Sequence, residues 1–334
     1  MPINTDSYGR KLDYLRVSVT DRCNLRCVYC MPAQGVPLRS HQDILRVEQI
    51  ARVVEAGAAL GIGKVRLTGG EPLVRKGIVD LVQQVAALPG ITDVAMTTNA
   101  HFLPRFAASL AAAGLARVNI SLDSLRPERF ARISRLGDLG AVMRGIAAAE
   151  EAGLRPLKIN MVVVRGLNDD ELVDFASLTY EHDWHVRFIE CMPLGGADDW
   201  GPGMPAPGAR LVSAAEMRRR LAVLGPLAPV AGPAGHGPAT YFRLPGAQGT
   251  LGFITAVSKH FCAACNRLRL TADGRLRTCL YTDAGVHLKP ALDAGAGPAE
   301  LQALIAQAVG LKGARRPLHP ASHVAGEAMS AIGG

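Results

Sequence analysis

Six short runs of β-branched and apolar residues alternate with Ala-, Leu- and Glu-rich segments over the first 190 residues of this 334-residue chain. The predicted strands cover residues 15–19, 64–68, 94–98, 117–122, 157–164 and 186–190. The predicted helices between them cover residues 47–60, 77–88, 103–113, 140–152 and 170–182, with Gly114 and Gly153 at expected C-caps. A series of β-α units implies a parallel α/β sheet with right-handed crossovers. Periodicity alone does not separate a barrel from a flat doubly wound sheet, but no G-x-G-x-x-G motif follows a strand.

The alternation ends near Gly195, where residues 195–208 are rich in Gly and Pro. A helix at 213–224, a second Gly- and Pro-rich loop at 228–238 and short strands at 240–244 and 250–254 follow. The Asp273-Gly274 pair predicts a hairpin between strands 267–270 and 275–278, and a last helix covers 299–309. We therefore divide the chain into residues 1–228 and a C-terminal region, 229–334.

Six of the seven cysteines form two triads, one near each end of the chain. The spacings are C-x3-C-x2-C and C-x2-C-x13-C, made by Cys23, Cys27, Cys30 and by Cys262, Cys265, Cys279. Three thiolates hold three corners of a cubane and leave one iron open, whereas a cluster that only transfers electrons normally has four protein ligands. The triads predict two [4Fe-4S] clusters, each with one iron free for a small molecule.

The first triad follows the first strand, at the end that carries the active site in β/α barrels. Zinc is the alternative for this triad, but a closed zinc site needs four protein ligands and only the isolated His41 lies nearby. Residues 1–19 carry charge and lack an apolar signal segment, and apolar stretches such as 106–116 are too short for a bilayer. We expect a cytoplasmic protein without membrane contact, in which cysteine spacing indicates metal binding rather than disulfides.

Thirty-seven Lys and Arg against 29 Asp and Glu give a net charge of +8. This is either a generally basic protein or one with an anionic ligand. Aromatic residues make up only 5% and no nucleic-acid-binding motif is present, so we expect no nucleic-acid partner. Strand alternation places Arg267 and Arg269 on one face beside the second triad, with Arg275 and Arg277 across the hairpin. Such guanidinium groups suit a polyphosphate, which Arg binds bidentately.

The segment Cys23-Asn-Leu-Arg-Cys27-Val-Tyr-Cys30 resembles the signature of the radical S-adenosylmethionine (SAM) superfamily, C-x3-C-x-aromatic-C. Within it, nearly the whole chain resembles the molybdenum-cofactor GTP 3′,8-cyclases. The similarity covers residues 20–22, 66–72, 119–123, 158–161 and 192–195, the second triad and the terminal Gly333-Gly334. The resemblance implies a partial, TIM-type radical SAM barrel of about six β/α units with a second cluster in the C-terminal region.

The resemblance also implies a role for each cluster. The open iron of the first would chelate SAM and, on reduction, release a 5′-deoxyadenosyl radical. The positions that match SAM contacts in the family are Tyr29, Gly70, Ser121 and Met192. Gly70 belongs to the Gly69-Gly70-Glu71-Pro72 motif after the second strand, where a missing Cβ allows a close backbone approach.

The second cluster would hold the purine of GTP, with basic residues on the triphosphate. The matching positions are Arg16, Arg66, Thr97, Lys158, Arg267, Leu268 and Arg269, of which Leu268 would contribute backbone at most. The implied reaction takes hydrogen from ribose C3′, and the C3′ radical then attacks C8. One further electron and a proton give 3′,8-cyclo-7,8-dihydro-GTP. The family passes this product to the cyclic pyranopterin monophosphate synthase, needs an external electron donor and suggests a homodimer.

Other positions and alternatives remain. The family places its Gly-Gly tail in the active site and usually has Gly where Ala100 stands, for which we expect a local adjustment. Cys191 is expected to be a buried free thiol. One alternative is a peptide-modifying radical SAM maturase, although those carry more C-terminal cysteines than three. Another is a non-catalytic zinc or iron–sulfur protein that binds nucleic acid.

Overall fold

The computed structural model describes residues 4–193, 200–233 and 237–315, together with Met329 and Ile332. The strands are β1 Tyr14–Ser18, β2 Lys64–Thr68, β3 Asp93–Thr98, β4 Arg117–Ser121, β5 Lys158–Val163, β6 His185–Glu190, β7 Ala228–Val230, β8 Thr240–Arg243, β9 Thr250–Ile254, β10 Arg267–Leu270, β11 Arg275–Arg277 and β12 Gly285–His287. The helices are α1 Val47–Ala59, α2 Ile78–Ala86, α3 Leu103–Ala112, α4 Pro127–Ser134, α5 Leu139–Glu151, α6 Leu172–Glu181, α7 Ala214–Leu221, α8 Lys289–Asp293 and α9 Pro298–Gly310. None of the helices in this part of the chain is long and apolar enough to cross a membrane.

The six predicted β-α strands are confirmed to within one or two residues, and they form neighbouring parallel strands in chain order, β1 to β6. The predicted helices are also confirmed, and Gly114 and Gly153 adopt positive φ after α3 and α5. The predicted loop at 228–238 is wrong at its start, where strand β7 forms, and helices α4 and α8 were not predicted. The α4 sequence PERFARIS is only eight residues long, and two helical turns are too short a window for a clear periodic signal.

Strands from the last third of the chain extend both ends of this parallel sheet. The strand order is β12-β11-β10-β1-β2-β3-β4-β5-β6-β9-β8-β7. Strand β10 pairs parallel to β1, and β9 pairs parallel to β6. The hairpin around Gly274, which has φ of 84°, is confirmed as β10–β11. Its attachment beside β1 was not predicted, because a local pattern does not specify a distant pairing partner.

The sheet curves into a partial barrel. Strands near its two ends, β10 and β9, and the strands between them contribute residues to one cavity, including Arg16, Arg187, Ile254 and Arg269. A flat doubly wound sheet covers both faces with helices and has no such shared lumen. The predicted fold class, a partial β/α barrel, is therefore confirmed.

Alternation along the strands separates the apolar core from the lumen. Leu15 and Val17 on β1 are buried in the core cluster, while Arg16 between them lines the cavity. Leu268 on β10 likewise belongs to the core, while Arg267 and Arg269 line the cavity. Because successive side chains point to opposite faces, each strand meets the helices with one face and a polar interior with the other.

Glu190 at the end of β6 joins three separate elements. Its Oε1 accepts hydrogen bonds from the backbone N–H of Ala214 (2.9 Å) and from the Ser258 hydroxyl. Its Oε2 accepts from the backbone N–H groups of Val257 (2.8 Å) and Ser258 (2.7 Å). The carboxylate is fully buried, so it anchors the start of α7 and the loop after β9 to the barrel.

We expect Glu190→Ala to lower the free energy of unfolding by about 3 kcal/mol, because four donors lose the buried carboxylate that accepts from them. Urea unfolding of the purified protein measures the loss. The matched control is Glu181→Ala at the exposed end of α6, which should change stability by no more than about 0.5 kcal/mol. Equal effects of the two variants would contradict the anchoring role.

Candidate active site

A cavity of about 240 Å³ lies inside the barrel and gathers most of the predicted site residues. Those that line it are Arg16, Tyr29, Arg66, Thr97, Ser121, Met192, Cys262, Cys265, Arg267, Arg269 and Cys279. The lining does not include the first triad, Gly70, Lys158 or Leu268. The side chain of Leu268 is buried in the core instead, consistent with a backbone role at most.

The first triad lies on the loop between β1 and α1, and the end of α4 holds this loop in place. The backbone N–H of Arg26 donates to the carbonyl of Ser134, and that of Val28 donates to Ile133, both at 3.0 Å. Within the loop, Cys30 N–H donates to the Cys27 carbonyl at 2.9 Å. These main-chain contacts fix the backbone that carries the thiols.

The glycine-rich motif after β2 packs directly against the residues that precede the triad. Gly70 N–H donates to the Thr20 carbonyl at 2.8 Å, and Glu71 N–H donates to the Arg22 carbonyl at 2.8 Å. A Cβ on Gly70 would lie 2.2 Å from the Arg22 carbonyl oxygen. This close approach of two backbones by itself requires a glycine at position 70.

Glu71 links the ends of β2 and β3 next to the first triad, a role that sequence reasoning missed. It accepts hydrogen bonds from the Leu73 N–H (3.0 Å), the Thr98 hydroxyl (2.7 Å) and the Asn99 N–H (2.8 Å). Asn99 in turn extends its amide toward Asn24 (2.8 Å). Burial raises the pKa of Glu71 to about 7 despite these donors.

Ala100, three residues after Thr97, keeps the backbone conformation that glycine would favour. Its φ is 67°, so the expected local adjustment of this angle does not occur. The Ala100 N–H donates to the Thr98 hydroxyl at 3.0 Å, and its carbonyl lies against Gly145 of α5, where a Cβ would come within 2.2 Å. Because Gly145 has no side chain, the carbonyl of Ala100 fits against α5 while Ala100 keeps its positive φ.

Tyr29 connects the first triad with the end of β4. Its hydroxyl donates to Asp123 Oδ2 at 2.6 Å, and the Val162 N–H donates to Asp123 Oδ1 at 2.8 Å. Burial raises the pKa of Asp123 to about 6 and, with help from Asp123, raises the pKa of Tyr29 well above its usual range. Asp123 lines the cavity but was not predicted as a site residue, although it ends the Asn119–Asp123 motif.

The thiols of the first triad fit a metal cluster better than a single ion. Burial raises the pKa of Cys23 to about 11 and that of Cys27 well above its usual range, so ionised thiolates here require a cationic partner. Among the described residues, no three His, Cys, Asp or Glu side chains could hold one metal ion. Zinc would draw three thiolates to within about 4 Å of one another, whereas a cubane binds each to a different iron.

The second triad opens directly into the cavity. Cys262 begins a single 3-10 turn, Cys262–Ala264, and Cys265 N–H donates to the Cys262 carbonyl at 3.1 Å. Burial alone would raise the pKa of Cys265, but Lys312 and Arg267 lower it overall. This triad therefore has a local positive charge that favours thiolates. By contrast, Cys191 is buried with Trp200 and Ile133, and burial raises its pKa to about 11, as expected for a free thiol.

The described lining of the cavity contains five arginines and one aspartate, and no lysine or glutamate. On β1, Arg16 lies in register with Arg66 on β2 and Arg269 on β10. Burial, followed by the charge of Arg269, lowers the pKa of Arg16, and burial with Arg267 lowers that of Arg269 to about 10. The cations thus repel one another in a poorly solvated space, which favours an anionic ligand.

Arg187 on β6 is a cavity-lining cation that sequence reasoning missed. Its Nη2 donates to Asn119 Oδ1 at 2.9 Å, and Asn119 Nδ2 donates to the Met96 carbonyl at 3.3 Å. The Nε–H groups of Arg66, Arg187 and Arg267 are buried and make no hydrogen bond with any described residue. The sequence could have indicated Arg187, because it is a charged residue inside an apolar predicted strand, as Arg16 is.

Lys158 is buried on β5 behind the lining residues. Its pKa is lowered to about 6, first by burial and then by the charges of Arg187 and Arg117. The tail residue Met329 lines the cavity, and its N–H donates to the Cys30 carbonyl at 3.2 Å. The predicted Gly333-Gly334 tail lies outside the described residues.

Comparison with known proteins agrees with this architecture. Residues 17–179 match the family model described as radical SAM superfamily, and residues 184–317 match molybdenum cofactor synthesis C. The barrel and its triads thus define a radical SAM protein.

Among curated proteins, the chain is 53% identical to the GTP 3′,8-cyclase of Pelotomaculum thermopropionicum over 92% of this chain and 93% of that protein. It is 51% identical to the Moorella thermoacetica enzyme of the same name, over 98% and 99%. The chain belongs to the GTP 3′,8-cyclase family.

Among solved structures, Streptococcus suis SuiB bound to S-adenosylmethionine aligns with a TM-score of 0.56 at 15% identity. The alignment covers 80% of this chain and 60% of SuiB. At this identity the likeness shows the fold alone. The relatives favour neither the peptide-maturase alternative nor the non-catalytic nucleic-acid-binding alternative.

If the crowded cations form an anion site, inorganic tripolyphosphate should stabilise the protein against thermal unfolding. At a concentration 100 times its dissociation constant, a ligand of the folded state adds about 2.7 kcal/mol. Differential scanning calorimetry should show this gain reduced in Arg187→Met and retained in Arg219→Met, an exposed control on α7. The same gain in both variants would remove Arg187 from the anion site.

Proposed function

We propose that this chain is a GTP 3′,8-cyclase that converts GTP into 3′,8-cyclo-7,8-dihydro-GTP, the first step of molybdenum cofactor biosynthesis. The observation that carries the proposal is a single cavity whose walls include the second cysteine triad, a set of buried arginines and Tyr29, the neighbour of Cys30. The names of the relatives, over nearly the full length of the chain, agree with it.

We assign Cys23, Cys27 and Cys30 as ligands of a [4Fe-4S] cluster that also binds SAM. When bound, this cluster and SAM supply a 5′-deoxyadenosyl radical that can take hydrogen from ribose C3′ of GTP. We assign Tyr29, Gly70, Ser121 and Met192 to SAM binding. The support is that Tyr29, Ser121 and Met192 line the cavity, while Gly70 lies against the segment before the triad.

We assign Cys262, Cys265 and Cys279 to a second [4Fe-4S] cluster, whose open iron would take the purine. All three thiols open into the cavity, and charges from Lys312 and Arg267 favour the ionised form of Cys265. Each triad supplies three ligands to a cubane of four irons. Each cluster would therefore keep one iron free for a small molecule.

The triphosphate is assigned to the basic wall of the cavity. The proposed lining residues are Arg16, Arg66, Thr97, Arg187, Arg267 and Arg269, joined by Lys158 and the backbone of Leu268 from outside the lining. A triphosphate would satisfy the orphaned Nε–H groups of Arg66, Arg187 and Arg267 and would relieve the repulsion among these cations. Asn119 orients Arg187 by accepting one of its hydrogen bonds.

The remaining walls of the cavity shield the reaction from water. Val162, Ile189 and Ile254 lie on neighbouring strands and supply apolar lining. Excluding water protects reactive intermediates from side reactions. These apolar side chains would contact the ribose while the phosphates engage the arginines.

Several broader features belong to the same proposal. The chain would receive an electron from an external donor, pass its product to the cyclic pyranopterin monophosphate synthase and act as a homodimer. We retain the division into residues 1–228 for the barrel and 229–334 for the second cluster. Met329 of the C-terminal region hydrogen-bonds the Cys30 carbonyl of the first triad, which supports a site shared by both parts of the chain.

The decisive experiment is anaerobic incubation with SAM, a reductant and GTP. We expect 5′-deoxyadenosine and the cyclised nucleotide to form together, and neither in quantity when ATP replaces GTP. Mass spectrometry of both products gives the measurement. Formation of 5′-deoxyadenosine without any modified nucleotide would reject the cyclase.

Cysteine variants test the assignment of the two clusters. The wild-type protein should hold about eight iron atoms, as two cubanes require. Cys23→Ala should abolish SAM cleavage, whereas Cys265→Ala should keep about four iron atoms and lose GTP turnover. Cys191→Ala, the buried cysteine outside both triads, is the matched control and should keep about eight. Loss of all iron in Cys265→Ala would count against two independent sites.

Lys158 makes GTP binding dependent on pH. Its pKa of about 6 means that it is mostly neutral in the free protein at pH 7.5. A bound polyanion favours the ammonium form, so binding should raise this pKa, take up about one proton and strengthen as pH falls toward 6. Calorimetry in buffers of different ionisation enthalpy measures the uptake.

The contribution of Lys158 is isolated by comparing variants, since GTP itself releases or binds protons. Lys158→Met should take up about one proton less than wild type, whereas the exposed control Lys76→Met should match wild type. Identical proton uptake in all three proteins would show that Lys158 does not respond to the nucleotide.

A further inference from the structure

Lys312 is a buried lysine that follows α9 and reaches the second cysteine triad. Its Nζ donates to the Arg267 carbonyl at 2.9 Å and to the Thr278 carbonyl at 2.6 Å. Burial lowers the pKa of Lys312, and the nearby charges of Cys265 and Cys279 act against that shift. A lysine ammonium has three donors, and these two carbonyls accept from two of them.

The two carbonyl acceptors belong to the two chain segments that carry Cys265 and Cys279. Arg267 stands two residues after Cys265 at the start of β10, and Thr278 stands immediately before Cys279. Lys312 therefore connects the two arms of the triad, whose cysteines are separated by thirteen residues in sequence.

Arg10 makes the matching connection to the third arm. Its Nη1 donates to the Cys262 carbonyl at 2.8 Å, and its Nη2 donates to the Gly313 carbonyl at 2.7 Å. Asp6 fixes this guanidinium through Nε at 2.6 Å. The arms of Cys262, Cys265 and Cys279 are thus all attached, through Arg10 or Lys312, to the short segment 312–314.

A buried ammonium is costly unless negative charge or hydrogen-bond acceptors surround it. Backbone carbonyls satisfy two donors of Lys312, and thiolates at Cys265 and Cys279 would supply the compensating charge. Net charge and hydrogen bonds to the cysteine sulfurs are among the factors that set the reduction potential of an iron–sulfur cluster. A fixed cation favours the reduced cluster because that form carries one more negative charge.

We propose that Lys312 is a positioning residue of the second cluster site: its ammonium holds the arms of Cys265 and Cys279 and raises the reduction potential of the cluster bound there. This inference rests on the proposed second cluster. It assigns to α9 and the segment after it a direct role in that site, which none of the predicted site residues had suggested.

The test compares Lys312→Met, Lys312→Gln and Lys312→Arg with wild type. Arg315→Met, an exposed cation three residues on, is the matched control. Each protein is reconstituted anaerobically, its iron is counted, and both clusters are titrated by EPR spectroscopy against potential without SAM or GTP. The first cluster serves as an internal reference in every sample.

We expect the midpoint of the second cluster to become more negative in Lys312→Met and Lys312→Gln, with the first cluster unchanged. Lys312→Arg should restore most of the shift because it retains the charge. Loss of about half the iron in Lys312→Met alone, with Arg315→Met retaining about eight atoms, would also support the positioning role.

An unchanged second midpoint in variants that keep their iron would overturn the inference, even if the apoprotein melted at a lower temperature. Such a result would leave Lys312 as a structural residue only. Wild-type protein with only about four iron atoms would instead overturn the second cluster itself, so the two failures are distinguishable.

Discussion

The confinement of positive charge inside the barrel is the constraint on which the rest of the site depends. Arg16, Arg66, Arg187, Arg267 and Arg269 face one cavity, and Asp123 is the acidic residue described in its lining. Burial and mutual repulsion lower the pKa values of Arg16, Arg187, Arg267 and Arg269. A fold can retain such an arrangement only if strong packing elsewhere stabilises it, since like charges in a poorly solvated space oppose folding.

The opposite face of the same strands supplies that packing. Leu15, Val17 and Leu268 are completely or almost completely buried beneath the helices. Because alternation along a strand is strict, one five-residue strand can contribute both to the apolar core and to the charged lumen. The electrostatic strain of the site is therefore spread over a sheet that the core makes rigid, rather than concentrated on a loop.

Much of the barrel could be predicted from the sequence because its signals are local. Strand β2 was predicted with its observed bounds, and the Asp273-Gly274 hairpin follows from its turn residues. The cysteine spacings and Arg16, Arg267 and Arg269 were also apparent. What local signals do not contain is the pairing of β10 with β1, and with it the reason that both halves of the chain share one cavity.

The residues that were missed act through contacts made only in the folded chain. Asp123 holds Tyr29, Glu71 joins β2 to β3, and Lys312 reaches carbonyls 34 and 45 residues away. Arg187 carried the same signal as Arg16 but matched no recognised position. Gly70 is the opposite case, because the sequence predicted it and the structure adds a separate reason for a glycine there. A Cβ at position 70 would clash with the backbone of Arg22.

The parallel pairing of β10 with β1 also determines when the site can exist during synthesis. The two strands lie about 250 residues apart in sequence, yet they are neighbours in the sheet. A nascent chain that has emerged only as far as β6 has open edges at both β1 and β6, and open edges are prone to unwanted strand pairing. Because chains fold from the N-terminus at the pace of translation, the barrel must wait for its last third before its edges are covered. The second cysteine triad lies next to β10 and β11 in sequence, so closure of the sheet and completion of the cavity occur together, late in synthesis.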